Sequence, residues 1–414
     1  MKLFKKVWIV LALVMAFATT AWANSAYTVV NSGYSQGKVG TITSTGSVTP
    51  SAVSTPLNGA PAVHSFTDAN GQPRMLVYNY TAATGNPEVL IYNPATSPWT
   101  QVKSIADLAG ANIVNLYGIA TSGSYLYAVD YDTAKIVQIN MAGDAYSVTA
   151  TYTFPGTTGY EKHGVAIAAV GDYVYGLFTE VDDDYATNPN YLTSKVVKLN
   201  KSTLAAVGTA AQVGKNAFTL KSYNNKLYVA AVGGKQRDDG TYNSGESKLN
   251  VVNLADMTVA TPFTSGTAIP YEFRDITLST AGDAYLLVGR YTPGYATMTG
   301  KVYKTTATAI ASGSLGTEKQ SFNTAGYYWA LLYETAADRL WFAQGNQVDL
   351  RIASTYTSIV SLPAQTILGG SQYPNLNSVA LIGQAGATLQ GYQDPALPGV
   401  QSGLKAARKI KTTK

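Results

Sequence analysis

The sequence predicts an all-β fold, a seven-bladed β-propeller of four-stranded blades. Three observations predict it. Strand-like patterns recur in a fixed order, they recur at a spacing of about 50 residues, and the two chain ends supply complementary parts of one repeat.

The first pattern, a small residue followed by an apolar one, opens a β-like run. It reads Ala62-Val63, Gly118-Ile119, Gly164-Val165, Ala217-Phe218, Ala330-Leu331 and Ser378-Val379, with Asp275-Ile276 as a polar variant. The second lies about ten residues on, past a polar turn. It reads Tyr125-Leu126-Tyr127, Tyr173-Val174-Tyr175, Lys226-Leu227-Tyr228, Tyr285-Leu286-Leu287 and Arg339-Leu340-Trp341, with looser copies at Met75-Leu76-Val77 and Ala26-Tyr27-Thr28. The third is a polar residue leading an aliphatic one: Lys38-Val39, Glu88-Val89, Lys135-Ile136, Lys195-Val196, Lys248-Leu249, Lys301-Val302 and Gln347-Val348. Their apolar members are 50, 47, 60, 53, 53 and 46 residues apart. A looser fourth stretch follows most of them, as in Ala150-Thr151-Tyr152-Thr153 or residues 358–362.

Four strands per unit, seven times over, fit blades around an axis. Solenoid repeats are usually shorter. The N-terminus carries the second and third patterns without the first, and Ser378-Val379 carries the first alone. Residues 376–382 are therefore expected to form the innermost strand of the blade begun by residues 25–57. That arrangement closes the ring and leaves no open edge blade. No segment beyond the N-terminal leader has sustained helical periodicity.

On these repeats the chain resembles secreted seven-bladed propellers of the broad YVTN/NHL-like kind. The resemblance covers nearly all of the chain after the leader and is architectural. The WD dipeptide and the kelch glycine pair are absent, and propellers host enzymes, lectins and scaffolds alike, so fold does not choose function.

Lys2, Lys5 and Lys6 precede an apolar run from Val7 to Ala18, and Ala21-Trp22-Ala23 gives a small-x-small cleavage pattern. Residues 1–23 therefore read as a signal peptide, residues 24–402 as the propeller and residues 403–414 as a basic, disordered tail. The expectation is an exported, periplasmic or extracellular protein without a transmembrane anchor. The chain has no cysteine, which excludes a disulfide framework and thiolate metal sites. The net charge of +5 comes from the two ends. Without the leader and tail the body is slightly acidic, at about −3, which argues against nucleic acid as a partner.

In a propeller the loops leading into the inner strands share one face with the loops between second and third strands. The residues just before the first pattern are Pro61, Tyr117, His163, Asn216, Arg274, Trp329 and Asn377. They are expected to ring the channel mouth on that face, with Arg274 as the only permanent cation. The preceding loops add Tyr160, Glu161, Tyr271, Glu272, Tyr327, Tyr328 and Tyr373. Tyrosines beside Arg, Asn and Glu suit a polar ligand with flat apolar faces, such as a sugar or peptide. The bland reading is a solvated channel lining, with Arg274 paired to Glu272 or Asp275.

The loops after the second pattern are long in the fourth to sixth units (180–193, 233–246 and 290–300) and short at Tyr131-Asp132 and Gln344-Gly345. Asp182, Asp183 and Asp184 in the first of these could offer Ca²⁺ oxygen ligands, but the spacing is not that of an EF-hand; a solvated acidic loop is the plainer reading. No other cofactor is evident. His64 and His163 are the only histidines, so a three-histidine zinc site is excluded. P-loop, dinucleotide and G-x-S-x-G signatures are absent. His163 near Glu161 could form an acid–base pair, though a hydrogen-bonded lining histidine is commoner. The sequence favours a monomeric binding protein for a polar small molecule, glycan or protein partner. The alternative is a propeller enzyme, a lyase or glycoside hydrolase acting on carbohydrate.

Overall fold

The computed structural model describes residues 25–390 apart from 33–35, 55–56, 58–61, 81–86, 106–112, 114, 183–188, 235–238, 327–328, 371–374 and 383–387. The chain folds as an all-β propeller. The first sheet begins with β1 (Ser25–Ser32), β2 (Gln36–Thr43) and β3 (Val48–Thr49). Six four-stranded antiparallel sheets follow in chain order. They are β4 (Ala62–Thr67), β5 (Pro73–Tyr80), β6 (Pro87–Asn93) and β7 (Thr100–Ser104); then β8 (Leu116–Ser122), β9 (Tyr125–Asp130), β10 (Lys135–Asn140) and β11 (Ser147–Thr153). Next come β12 (Glu161–Val170), β13 (Tyr173–Val181), β14 (Thr193–Asn200) and β15 (Ala211–Lys215); then β16 (Ala217–Tyr223), β17 (Lys226–Ala231), β18 (Lys248–Asn253) and β19 (Val259–Thr264). The last two are β20 (Glu272–Leu278), β21 (Asp283–Tyr291), β22 (Met298–Thr306) and β23 (Thr317–Thr324); and β24 (Trp329–Glu334), β25 (Arg339–Gln344), β26 (Gln347–Ile352) and β27 (Ser358–Pro363).

The expectation of uniformly four-stranded blades needs correction. The sheet that holds β1 has five strands, in the order β29–β28–β1–β2–β3, with β28 (Asn375–Leu381) and β29 (Thr388–Gln390). β28 pairs with β1 on one edge, Thr28 opposite Val379, and turns its other edge to a further strand. β29 takes that edge, with Val379 opposite Leu389. Helix is limited, among the described residues, to two five-residue segments, Ala307–Ala311 and Ala364–Leu368, and a few 3₁₀ turns.

The burial pattern explains why the repeats read as they do. In β9 and β17 every residue after the first is buried. Both faces of such a strand are covered by neighbouring sheets, so the sequence shows an apolar run rather than alternation. The outermost β11 alternates exposed and half-buried residues, because only one of its faces meets protein. Apolar clusters fill the spaces between sheets. Phe66 and Leu76 meet Ile119 and Leu126 in one, and Val379 and Leu381 meet Trp341 and Leu350 in another.

Neighbouring sheets are also stitched by side chains that satisfy inner-strand amides. Ser194 Oγ accepts from Ala217 N (3.0 Å), and Ser247 Oγ from Phe273 N (2.8 Å). Asp275 Oδ2 accepts from Leu331 N (2.7 Å), and Thr277 Oγ1 from Tyr333 N (3.1 Å). A buried amide left without a partner costs about 1–3 kcal/mol, so each stitch fixes one sheet against the next. The inner strands contact one another in the succession β4, β8, β12, β16, β20, β24, β28, and β28 contacts β4.

Candidate functional site

The start of an inner strand is irregular. Tyr117 in β8, Val165 in β12, Phe218 in β16, Arg274 in β20 and Asn377 in β28 each form a bulge against the partner strand. A bulge inserts one residue and re-aims its side chain. The predicted ring therefore splits. Tyr117, Arg274 and Asn377 occupy bulges, whereas His163 and Asn216 stand two residues before theirs, and β24, with Trp329, has none.

Tyr117 and His163 are brought together by a residue outside that ring. The Tyr131 ring stacks on His163 at 4.1 Å and 15°, and meets Tyr117 at 4.7 Å. His163 Nδ1 lies 3.3 Å from the Tyr131 carbonyl oxygen. Its Nε2 lies 3.9 Å from Glu161 Oε2; His163 is 2 % exposed at the side chain and Glu161 34 %. Tyr160, half-buried, immediately precedes Glu161, the first residue of β12. The turn that presents Tyr131 is anchored by Asp130, whose carboxylate accepts from Asn115 N (2.6 Å), Thr133 N (2.8 Å) and Thr133 Oγ1 (2.6 Å). Burial raises its pKa to about 6, against the pull of those donors. The sequence marked Tyr131-Asp132 only as a short loop and did not single out Tyr131.

Arg274 is not an open cation at the mouth. It is buried, with an ion pair from Nη2 to Glu272 and a hydrogen bond from Nε to Gly289 O (3.2 Å). Its guanidinium also lies 5.5 Å from the Tyr291 ring centre. Glu272 in turn accepts from Asn243 Nδ2 at 2.7 Å. The Arg274 side chain thus meets partners on its own strand and on the neighbouring β21, Glu272, Gly289 and Tyr291, rather than water. A partly exposed cation nearby is Arg290, 5.9 Å from the rings of both Tyr242 and Tyr271.

The other predicted residues scatter. Asn216 is buried with a left-handed φ of 49°, which asparagine tolerates, and its Nδ2 donates to Gly234 O at 2.8 Å. Trp329 packs on Phe322 at 5.0 Å and donates from Nε1 to Gly326 O, so it is a core residue. Pro61, Tyr327, Tyr328 and Tyr373 lie outside the described residues, as does the side chain of Asn377. Of the acidic loop, Asp183 and Asp184 also lie outside them, and Asp182 Oδ1 accepts from Asn190 N at 2.7 Å. Among the described residues no group of three His, Asp or Glu could hold a metal ion.

No protein-family model matches the chain, and no curated protein matches it in sequence. Solved structures match its fold. A periplasmic gluconolactonase from Pseudomonas aeruginosa is 12 % identical over 86 % of this chain and 99 % of its own, with a TM-score of 0.57. A protein from Bacteroides fragilis, assigned provisionally as a 6-phosphogluconolactonase, is 13 % identical over 84 % and 97 %, with a TM-score of 0.53. A functionally unknown protein from Desulfotomaculum acetoxidans is 11 % identical over 84 % and 97 %, at 0.51. At such identities the likeness concerns the fold alone.

Proposed function

We propose that this chain is an exported, monomeric seven-bladed propeller that binds a polar ligand with a flat apolar face, a sugar ring or glycan end, at Tyr117, Tyr131, His163 and Glu161. The observation that carries this reading is the contiguous stack of Tyr117, Tyr131 and His163 beside the partly exposed Glu161. A sugar lays its C–H face on such a stack, and its hydroxyls meet the carboxylate at the rim. The seven-bladed count counts the five-stranded sheet as a blade whose inner strand is β28; the contact of β28 with β4 supports it. Export is supported by the leader pattern of residues 1–23, with residues 24–402 as the propeller and 403–414 as its tail. No helix among the described residues is long and apolar enough to cross a membrane.

A glycan array followed by calorimetry tests the reading. Tyr131→Ala and Tyr117→Ala are expected to weaken the best hit by about tenfold each, from the loss of about 1–1.5 kcal/mol of ring contact. Unchanged affinity in both variants would overturn it.

A second reading is enzymatic. The 3.9 Å approach of His163 Nε2 to Glu161 favours it, since a carboxylate beside an imidazole suits general-base activation of water. The fold likeness to the P. aeruginosa gluconolactonase suggests the substrate to try, a sugar lactone. Lactone hydrolysis followed by pH-stat, abolished by His163→Gln, would favour this reading over simple binding.

A further inference from the structure

Arg290, Tyr242 and Tyr271 form a cluster on sheets other than those that carry the aromatic stack. Tyr242 lies in the long loop between β17 and β18, Tyr271 just before β20, and Arg290 near the end of β21. All three are partly exposed.

Each of them adjoins a member of the buried network around Arg274. Tyr271 precedes Glu272, and Tyr242 precedes Asn243, whose Nδ2 donates to Glu272 at 2.7 Å. Arg290 follows Gly289, whose carbonyl accepts from Arg274 Nε at 3.2 Å. The pairing of β20 with β21 starts at Glu272 opposite Gly289, so Tyr271 and Arg290 stand one step beyond that pair on facing strand ends. The two long loops also touch, since a Cβ at Gly240 would meet Pro293 Cδ at 2.8 Å. Thr292 closes the second loop, with its amide donating to Thr297 O (2.8 Å) and its Oγ1 accepting from Thr297 N (3.0 Å). Buried bonds and loop contacts thus hold the backbone beside all three side chains.

The Arg290 guanidinium lies 5.9 Å from the centre of each tyrosine ring. Among the described residues it makes no hydrogen bond or ion pair. The described acids of the loop that holds Tyr242 are engaged elsewhere. Asp239 Oδ1 accepts from Thr241 N (2.9 Å) and Thr241 Oγ1 (2.6 Å), and Glu246 pairs with Lys215 Nζ (3.1 Å). A ring face attracts the cation but gives its N–H groups no lone pair in their own plane, where a carboxylate would sit.

From this arrangement we infer that Arg290, Tyr242 and Tyr271 form a second binding site, one that takes a sugar acid. The guanidinium holds the carboxylate through two parallel N–H···O bonds, and a tyrosine ring takes the C–H face of the sugar. A single cation matches the single charge of a carboxylate, and the rings supply flat faces that a bare phosphate would not use. The inference does not rest on the site at Tyr117, Tyr131 and His163.

Calorimetry of the full chain at neutral pH tests it, with glucuronate, glucose, acetate and inorganic phosphate as probes. Glucuronate is expected to bind at least about tenfold tighter than any of the others, because glucose lacks the charge and acetate and phosphate lack the ring. Arg290→Ala and Arg290→Lys should each weaken glucuronate by about tenfold or more, since an ammonium cannot copy the planar fork. Tyr242→Ala and Tyr271→Ala should weaken glucuronate and leave acetate unchanged. Glucuronate bound no tighter than glucose, acetate or phosphate overturns the inference, and that comparison needs no variant to fold. Unchanged affinity in both Arg290 variants overturns it as well. Tyr131→Ala should leave glucuronate binding intact, so failure at one site is told apart from failure at the other; a matching loss in that variant would move the sugar acid to the aromatic stack and overturn the second site.

Discussion

The hydroxyl of Ser378 accepts a hydrogen bond from the backbone amide of Val63, 2.9 Å away across a sequence separation of 315 residues. One oxygen thus links an inner strand near the end of the chain to one near its beginning. Both residues are fully buried, so no water can replace the bond.

Ser378→Ala removes the acceptor and leaves the Val63 amide unsatisfied. The expected loss of stability is about 1–3 kcal/mol, against less than about 0.5 kcal/mol for a serine far from any partner. Urea unfolding of the two variants measures the difference. An equal effect from both would show that the bond is not a stitch.

Removing residues 376–414 takes away β28 and β29 together. Such a chain is expected to lose its cooperative thermal transition, because β1 and β4 each lose a neighbouring strand. Ending the chain at residue 402 should leave the transition in place. Calorimetry of both truncations decides the matter; a sharp transition in the shorter one would refute the role given to β28.

Glu272 and Arg274 form a buried ion pair, 1 % and 4 % exposed at the side chain. Losing one partner leaves a buried charge alone, so Glu272→Gln or Arg274→Ala should cost about 3–5 kcal/mol. Replacing both with apolar residues of similar volume should recover most of that. The double-mutant cycle in urea reads the coupling, and additive losses would argue against the pair.

His64 is fully buried, and neither ring nitrogen has a hydrogen-bond partner among the described residues. Burial lowers its pKa to about 3, whereas in the unfolded chain it stays near 6.5. The unfolded state therefore binds a proton first as pH falls. Stability is present above about pH 6.5 and drops below it by about 1.4 kcal/mol per pH unit, until the folded pKa is reached. His64→Leu should flatten that slope between pH 6 and 4 and leave stability at pH 7 equal or higher. An unchanged slope in denaturant titrations across that range would exclude His64 as its source.

The sequence carried the strands more plainly than the site. Lys195-Val196 and Lys248-Leu249 mark β14 and β18 because the aliphatic residues of these strands, Val196 and Leu199, Leu249 and Val252, are buried between sheets. The channel mouth was not legible to the same degree. Tyr117 and Arg274 stand on bulges while His163 and Asn216 stand before theirs, and no residue type announces where a strand gains an extra residue. Tyr131 joins the site through the sharp turn after β9, a tertiary approach that pattern spacing cannot give. The pairing of Arg274 with Glu272 was foreseeable as an i, i+2 possibility, but only its burial shows that the charge is spent inside the protein. β29 is three residues long, Thr388, Leu389 and Gln390, and too short to leave a periodic signal.

The pairing of β1 with β28 sets an order of events in time. A polypeptide is made, and threaded through any membrane, from its N-terminus. β1 can pair with β2 early, yet its other edge waits for a segment some 350 residues downstream. The six sheets between are each local in sequence and can form as they emerge. The sheet that begins the chain is therefore the last to be completed, and until then it offers an exposed strand edge to any other extended chain nearby.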